Sequence, residues 1–215
     1  MPDPTKYHVF LDDFNTIDYN IWSTISSDSS TISAVIQDSD DGRLLITLPA
    51  TEDKYIIFQA HTDAGGEMFT FESGKKLWFK AKFQSNDVDQ VDIGVGITQR
   101  VTADTGFLSG GAANGVFFGT DDGDSYIDFY VRSGSATIGS SLAIASLTDA
   151  TDQVVGFYFD GVNQIQYFTG ETTYNGDIDT TAFPTTELLP IFSIRNGEAS
   201  ANTLNMDFIC VIKER

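Results

Sequence analysis

The sequence predicts an all-β protein, an antiparallel two-sheet β-sandwich of the jelly-roll type. Three observations carry this expectation. No stretch of ten or more residues combines helical periodicity with a start cap and good helix formers. Short β-rich runs alternate instead with clusters of Gly, Asp, Asn and Ser. Several runs alternate apolar and polar residues with a period of two, as a strand with one buried face does.

In chain order the runs are Tyr7–Asp13, Thr31–Gln37, Arg43–Pro49, Tyr55–His61, Glu67–Phe71, Leu77–Gln84 and Val91–Gln99. They continue with Gly115–Gly119, Tyr126–Ser133, Val154–Phe159, Gln164–Thr169, Leu189–Arg195 and Thr203–Lys213, about thirteen strands. In Leu77–Phe83, residues Leu77, Phe79, Ala81 and Phe83 point one way and Trp78, Lys80 and Lys82 the other. In the last run the same reading puts Leu204, Met206, Phe208, Cys210 and Ile212 on one apolar face, so Cys210 is expected to be a packed thiol. Asp160-Gly161 between two aromatic runs marks a hairpin, closed by two residues or by the loop Asp160–Asn163. Gly134–Thr151 reads as a strand and loop, and Gly106–Gly115 as a flexible loop that lacks the Gly-Lys-Ser/Thr ending of a phosphate cradle. No linker divides the chain, so we expect an N-terminal arm over residues 1–6 and one domain over 7–215. The first and last runs are expected to pair.

Composition narrows the function. Hydrophobic residues make up 41% of the 215 and Phe occurs seventeen times, enough for a large core and too much for disorder. Acidic residues outnumber basic ones 31 to 12, giving −19, a surface that repels nucleic-acid phosphates and anionic lipids. No apolar run approaches the ~18 residues of a membrane span. Neither a nucleic-acid nor a membrane partner is expected. Cys210 stands alone, which excludes a disulfide framework or a multi-cysteine zinc site. Residues 1–10 carry neither a basic leader nor an apolar stretch, so folding in the cytoplasm is expected.

The residues of hydrolytic chemistry are not arranged for it. Glycoside hydrolysis needs two carboxylates across one groove, and none of Glu52, Glu67, Glu72, Glu171, Glu187, Glu198 or Glu214 has an acidic partner two positions away on a strand. Asp124 and Asp128 are four apart, with Asp124 in a turn. The two histidines, His8 and His61, sit in alternating strand patterns, and no Gly-x-Ser-x-Gly elbow occurs. No catalytic, cofactor-binding or metal-ligating residue is assigned, and no enzyme activity is expected. The turns Asp38–Gly42 and Asp121–Asp124 offer the hard oxygens calcium prefers, but neither matches the twelve-residue calcium loop; calcium binding and plain tight-turn chemistry are the two readings, the second favoured. Sugar binding needs exposed aromatics beside polar groups. The candidates are Trp22, Trp78, Tyr126, Tyr130 and Tyr158.

The opening Asp12-Asp-Phe-Asn-Thr-Ile-Asp-Tyr-Asn-Ile-Trp22 and the hairpin Gly156–Gly161 with Tyr167–Gly170 resemble concanavalin A-like domains, a fold that hosts lectins, hydrolases and adhesion modules. Ser73–Phe83, Ile93–Thr98, Val154–Gly161, Leu189–Ala199 and Leu204–Arg215 are similar to segments of tailed-bacteriophage virion proteins of the head decoration (cement) type. That resemblance implies a structural protein on the outer surface of a capsid, with the major capsid protein as partner. It implies no catalytic residue. Because several linked sites hold better than one, a homo-oligomer is expected, a homotrimer before a homodimer. The alternative is a lectin-like carbohydrate-binding module, on the head or tail of a virion, that aids host attachment.

Overall fold

The computed structural model describes residues 3, 5–37, 42–61, 68–102, 113–170 and 173–215. Their regular structure is all strand. In chain order these are β1 (Tyr7–Asp12), β2 (Trp22–Ser26), β3 (Ser33–Gln37), β4 (Arg43–Thr47), β5 (Tyr55–Ala60), β6 (Leu77–Ser85), β7 (Val91–Thr98) and β8 (Gly115–Gly119). After them come β9 (Tyr126–Ser133), β10 (Ala136–Ser146), β11 (Gln153–Phe159), β12 (Gln164–Thr169), β13 (Thr173–Asp179), β14 (Leu189–Asn196) and β15 (Thr203–Glu214).

They form two antiparallel sheets. Sheet A runs β13-β12-β11-β6-β15-β4-β3, with β1 paired to the far half of β15; sheet B runs β10-β9-β8-β7-β14-β5-β2. The first and last strands pair as expected, Tyr7 opposite Glu214 through Asp12 opposite Ile209. The Asp160 loop turns β11 into β12. Its carboxylate accepts from the N–H groups of Val162 (2.7 Å), Asn163 (3.1 Å) and Gln164 (3.1 Å), while Gly161 takes φ 84°.

The core between the sheets is aromatic. Phe79 and Phe157, opposite one another in sheet A, stack at 5.1 Å, and Phe129 of sheet B stacks on Tyr167 of sheet A at 4.7 Å. At the other end Trp22, fully buried, meets Phe10, Phe14, Phe58 and Phe192 and donates its indole N–H to Asp12 Oδ2 at 2.6 Å. Trp22 is therefore core and cannot touch a sugar. A buried Asn196 ties loops to this core, its amide donating to the carbonyls of Pro49, Thr51 and Ser200.

Three sequence expectations change. Residues 68–71 form only an isolated bridge, Phe69 to Leu188, and no strand; the rest of the expected Glu67–Phe71 run, like Asp38–Asp41 and most of Gly106–Gly115, lies outside the described residues. Two further strands exist, β2 and β13, and residues 136–146 make one long strand with two register shifts. The third change is in β15. A bulge between Met206 and Phe208 adds one residue against β6 and reverses the alternation. Leu204 and Met206 face the core, but beyond the bulge Ile209 and Val211 do so, leaving Phe208, Cys210 and Ile212 half-buried on the outside. Asp207, carried on the bulge, meets Lys82 (2.7 Å) and Arg43 (3.4 Å). Asp152 closes the quartet with a two-point contact to Arg43 and 3.1 Å to Lys82.

Candidate functional site

The outer face of sheet B is built from residues that alternate with the core. Along β7, Val91, Ile93, Val95 and Ile97 point inward, so Asp92, Gly94, Gly96 and Thr98 point out. Register then sets three rows across the sheet. One runs Ile57, Ser193, Gly94, Gly119, Asp128; the next runs Gln59, Ile191, Gly96, Phe117, Tyr130; on the other side lie Tyr55, Arg195 and Asp92.

The first row is a trough. Gly94 and Gly119 give it a floor without side chains, and Ser193 and Asp128 stand at its ends. Three inter-strand spacings separate those ends, about 14 Å. A Cβ added at Gly119 would meet the Tyr130 ring at 3.7 Å and Ile93 O at 3.8 Å, ordinary contact distances, although Gly94 and Gly119 are both buried. Gly96 differs, because a Cβ there would meet Val116 O at 2.4 Å.

One wall is aromatic. Tyr130 stacks on Phe117 at 5.4 Å and donates its hydroxyl to Asp128 Oδ2 at 2.7 Å. Burial first, then that bond, hold the phenol well above its ordinary range, so it stays neutral. The other wall is an ion pair. The nearly buried Asp92 carboxylate takes two donors from Arg195, Nε at 2.5 Å and Nη2, plus the Asp122 N–H at 2.7 Å. Asp121 completes an acidic rim. Burial raises its pKa, and the charges of Asp92, Asp128 and Asp124 raise it further against the pull of Arg195. The Ser193 hydroxyl is buried without a hydrogen-bond partner among the described residues.

The five aromatic sugar-binding candidates separate. Tyr130 and the exposed Tyr126 lie on the outer face of β9 with Asp128 between them. Trp78 and Tyr158 lie together on the outside of sheet A, 5.3 Å apart, and Trp22 is inside. His8 stacks on Phe69 at 4.7 Å, and burial followed by the charges of Arg215 and Lys213 lowers its pKa. Among the described residues no three His, Cys, Asp or Glu side chains converge on a cation, the Asp121–Asp124 turn included. Sequence reasoning missed Asp92, Arg195 and Ser193. The available signal was Ile93-Gly-Val-Gly-Ile97, where one face is apolar and the other bare. It also looked for paired acids along one strand, whereas Asp92, Asp121 and Asp128 come from β7, the turn after β8, and β9.

No family model and no curated protein matches this chain. Solved structures do match, in fold. The carbohydrate recognition domain of Emp47p aligns with TM-score 0.66 at 12% identity over 98% of either chain. A family 16 glycoside hydrolase from Bacteroides ovatus, in complex with a mixed-linkage glucan product, aligns with TM-score 0.64 at 13% identity over 93% of this chain and 98% of that one. A protein of unknown function from Shewanella oneidensis MR-1 aligns with TM-score 0.62 at 15% identity, covering 97% and 87%. The chain therefore has the concanavalin A-like jelly-roll fold, an architecture that carbohydrate recognition domains and glycoside hydrolases share.

Proposed function

We propose that this protein is a lectin-type carbohydrate-binding module that holds a glycan in the Gly94–Gly119 trough of sheet B. The observation that carries the reading is the floor without side chains at Gly94 and Gly119 beside Tyr130, where Gly119 has room for a Cβ. A pyranose ring needs a flat apolar surface for its C–H face and fixed donors and acceptors for its hydroxyls. The Tyr130 ring supplies the first, and the Asp128 carboxylate, the Arg195–Asp92 pair and the Ser193 hydroxyl supply the second. That fold neighbours include a carbohydrate recognition domain supports the reading at the level of architecture.

Binding without hydrolysis is the better account of the carboxylates. Asp92 is neutralised by Arg195, and Asp128 is spent on the Tyr130 hydroxyl and the Ala143 N–H. Asp121 has a raised pKa, as a general acid needs, but neither Asp92 nor Asp128 is left free to serve it as base or nucleophile.

The test is a glycan array followed by calorimetry on the hits. Gly119→Trp fills the trough from a position where a Cβ fits, and Tyr130→Ala removes the platform. Both are expected to abolish binding while the thermal transition persists. An array without hits, or hits unaffected by either change, would overturn the reading. Reducing sugar released by the wild type and lost in Asp121→Asn would convert the module into an enzyme. A virion location and a capsid partner rest on the segmental resemblance, and a trimer on the advantage of several linked sites over one; the fold neighbours named above do not point to a virion protein. Co-sedimentation with capsids decides them.

A further inference from the structure

On the opposite face of the sandwich the outside of sheet A carries an open groove of about 700 Å³. The β15 bulge creates it by turning Phe208, Cys210 and Ile212 outward. Trp78 of β6, Phe168 of β12 and Leu11 of β1 complete the walls. The end of the Phe168 ring lies over Gly156, where a Cβ would sit 2.3 Å from it. Leu11 remains 62% exposed and Val9, beside it, 40%. Contiguous exposed apolar surfaces of this kind are rare and mark binding or interaction sites.

The groove opens at one end onto the basic corner of an otherwise acidic molecule. Tyr7 lines both the groove and a smaller cleft of about 300 Å³ that contains Lys6, Lys75 and Arg215. A third cleft, of about 350 Å³, continues past Arg215 to Lys213 and His8. Four cationic side chains stand there with the carboxylates of Glu72 and Glu214, in a chain of net charge −19. Lys213 is paired with Glu72, while Lys75 and Arg215 donate to the backbone oxygens of Arg215 and Tyr7 and pair with no Asp or Glu side chain among the described residues. The two charges that lower the His8 pKa, Arg215 and Lys213, belong to the same corner.

We propose that this groove binds a single-chain amphipathic anion of the fatty-carboxylate class, its alkyl chain against Trp78, Phe208 and Ile212 and its carboxylate at Lys6, Lys75 and Arg215. An apolar trough that ends in cations matches such a molecule in both halves. A second copy of the chain over this face would instead shield Cys210 with no amphiphile present, an outcome the titration distinguishes. The site is independent of the glycan trough, which lies on the other sheet.

Two built-in reporters make the test direct. Trp78 is in the groove while the only other tryptophan, Trp22, is fully buried, and Cys210, the single thiol, lines the wall. The full chain is titrated with dodecanoate below its micelle concentration, with dodecyltrimethylammonium and dodecyl maltoside in parallel. The readouts are tryptophan emission and the rate of Cys210 alkylation by iodoacetamide. Dodecanoate is expected to bind saturably, one per chain, and to slow alkylation at least tenfold. Decanoate should bind about fivefold more weakly, from two fewer methylenes in a half-open groove. Lys6→Glu with Lys75→Glu should weaken dodecanoate by tenfold or more, and Ile212→Glu should abolish binding. Gly119→Trp should leave it unchanged. Equal binding of the cationic or neutral amphiphile, no saturable response, or indifference to the two lysine changes would overturn the proposal. So would self-association that shields Cys210 without any amphiphile, or capture by anionic phospholipid vesicles with no binding of free dodecanoate.

Discussion

Replacing Asp207 with Ala tests how the bulge of β15 is held. The Asp207 side chain is 12% exposed, and it pairs with Lys82 at 2.7 Å and Arg43 at 3.4 Å, whose side chains are 23% and 19% exposed. Asp152, 35% exposed, contacts both cations, so the quartet is neutral as folded. The Lys82 pKa is raised, first by its hydrogen bond to Asp207, and the Asp152 pKa is lowered, first by its bond to Arg43. Removing Asp207 leaves two half-buried cations sharing one carboxylate. Exposed pairs contribute ~0.2–1 kcal/mol, and breaking a fully buried pair costs ~3–5 kcal/mol. With these exposures the loss should fall between, at about 2 kcal/mol. For a chain of this length, at ~2.1 cal/mol/K of unfolding entropy per residue, that lowers Tm by about 4 °C. Asp207→Ala, Lys82→Met and the double variant, followed by urea denaturation, form the cycle. A coupling of about 1 kcal/mol is expected, because the surplus cation disappears in the double variant. A single-variant loss below ~0.3 kcal/mol with no coupling would refute the account, since distant or idle sites add within that margin. The bulge would then be held by packing alone.

Other outcomes follow from single features. Asp87, pushed up to about 6 by burial and then by its contact with Asp89 and the charges of Asp149 and Glu198, is stabilising below the ordinary Asp pKa and loses that contribution as pH rises through about 6. Asp87→Asn cannot ionise, so its Tm relative to wild type should rise between pH 4.5 and 7.5; a difference flat with pH would contradict the assignment. Asn196→Ala removes the buried amide that serves the carbonyls of Pro49, Thr51 and Ser200 and should cost about 3 kcal/mol in chemical denaturation. Gly156→Ala places a Cβ 2.3 Å from the Phe168 ring and 2.7 Å from Phe79 O, so a loss of about 2 kcal/mol is expected. A shift in Trp78 emission should accompany that loss as the ring leaves its seat over the glycine.

What the sequence determined by itself is whatever a period of two and a turn residue can write locally. Leu77–Phe83 has one legible face because nothing interrupts its alternation, and Asp160-Gly161 sets the hairpin because its carboxylate and glycine close the loop without outside help. β2 and β13 were illegible because neither Trp22-Ser-Thr-Ile-Ser26, for all its Trp, Thr and Ile, nor Thr173-Tyr-Asn-Gly-Asp-Ile-Asp179 alternates apolar and polar residues with a period of two. Pairing to β5 and β12 makes them strands, with bonds such as Gln164 Nε2 to Asp177 at 2.7 Å. Only the tertiary structure decided which way Phe208, Cys210 and Ile212 point, since the bulge at Asp207 is set by its pairing with β6 and by two cations far away in the chain. The trough depended on it for the same reason. Asp92, Asp128 and Ser193 become neighbours through the lateral order β9-β8-β7-β14, and lateral order in a sheet is fixed by contacts between strands remote in sequence, which no local pattern encodes.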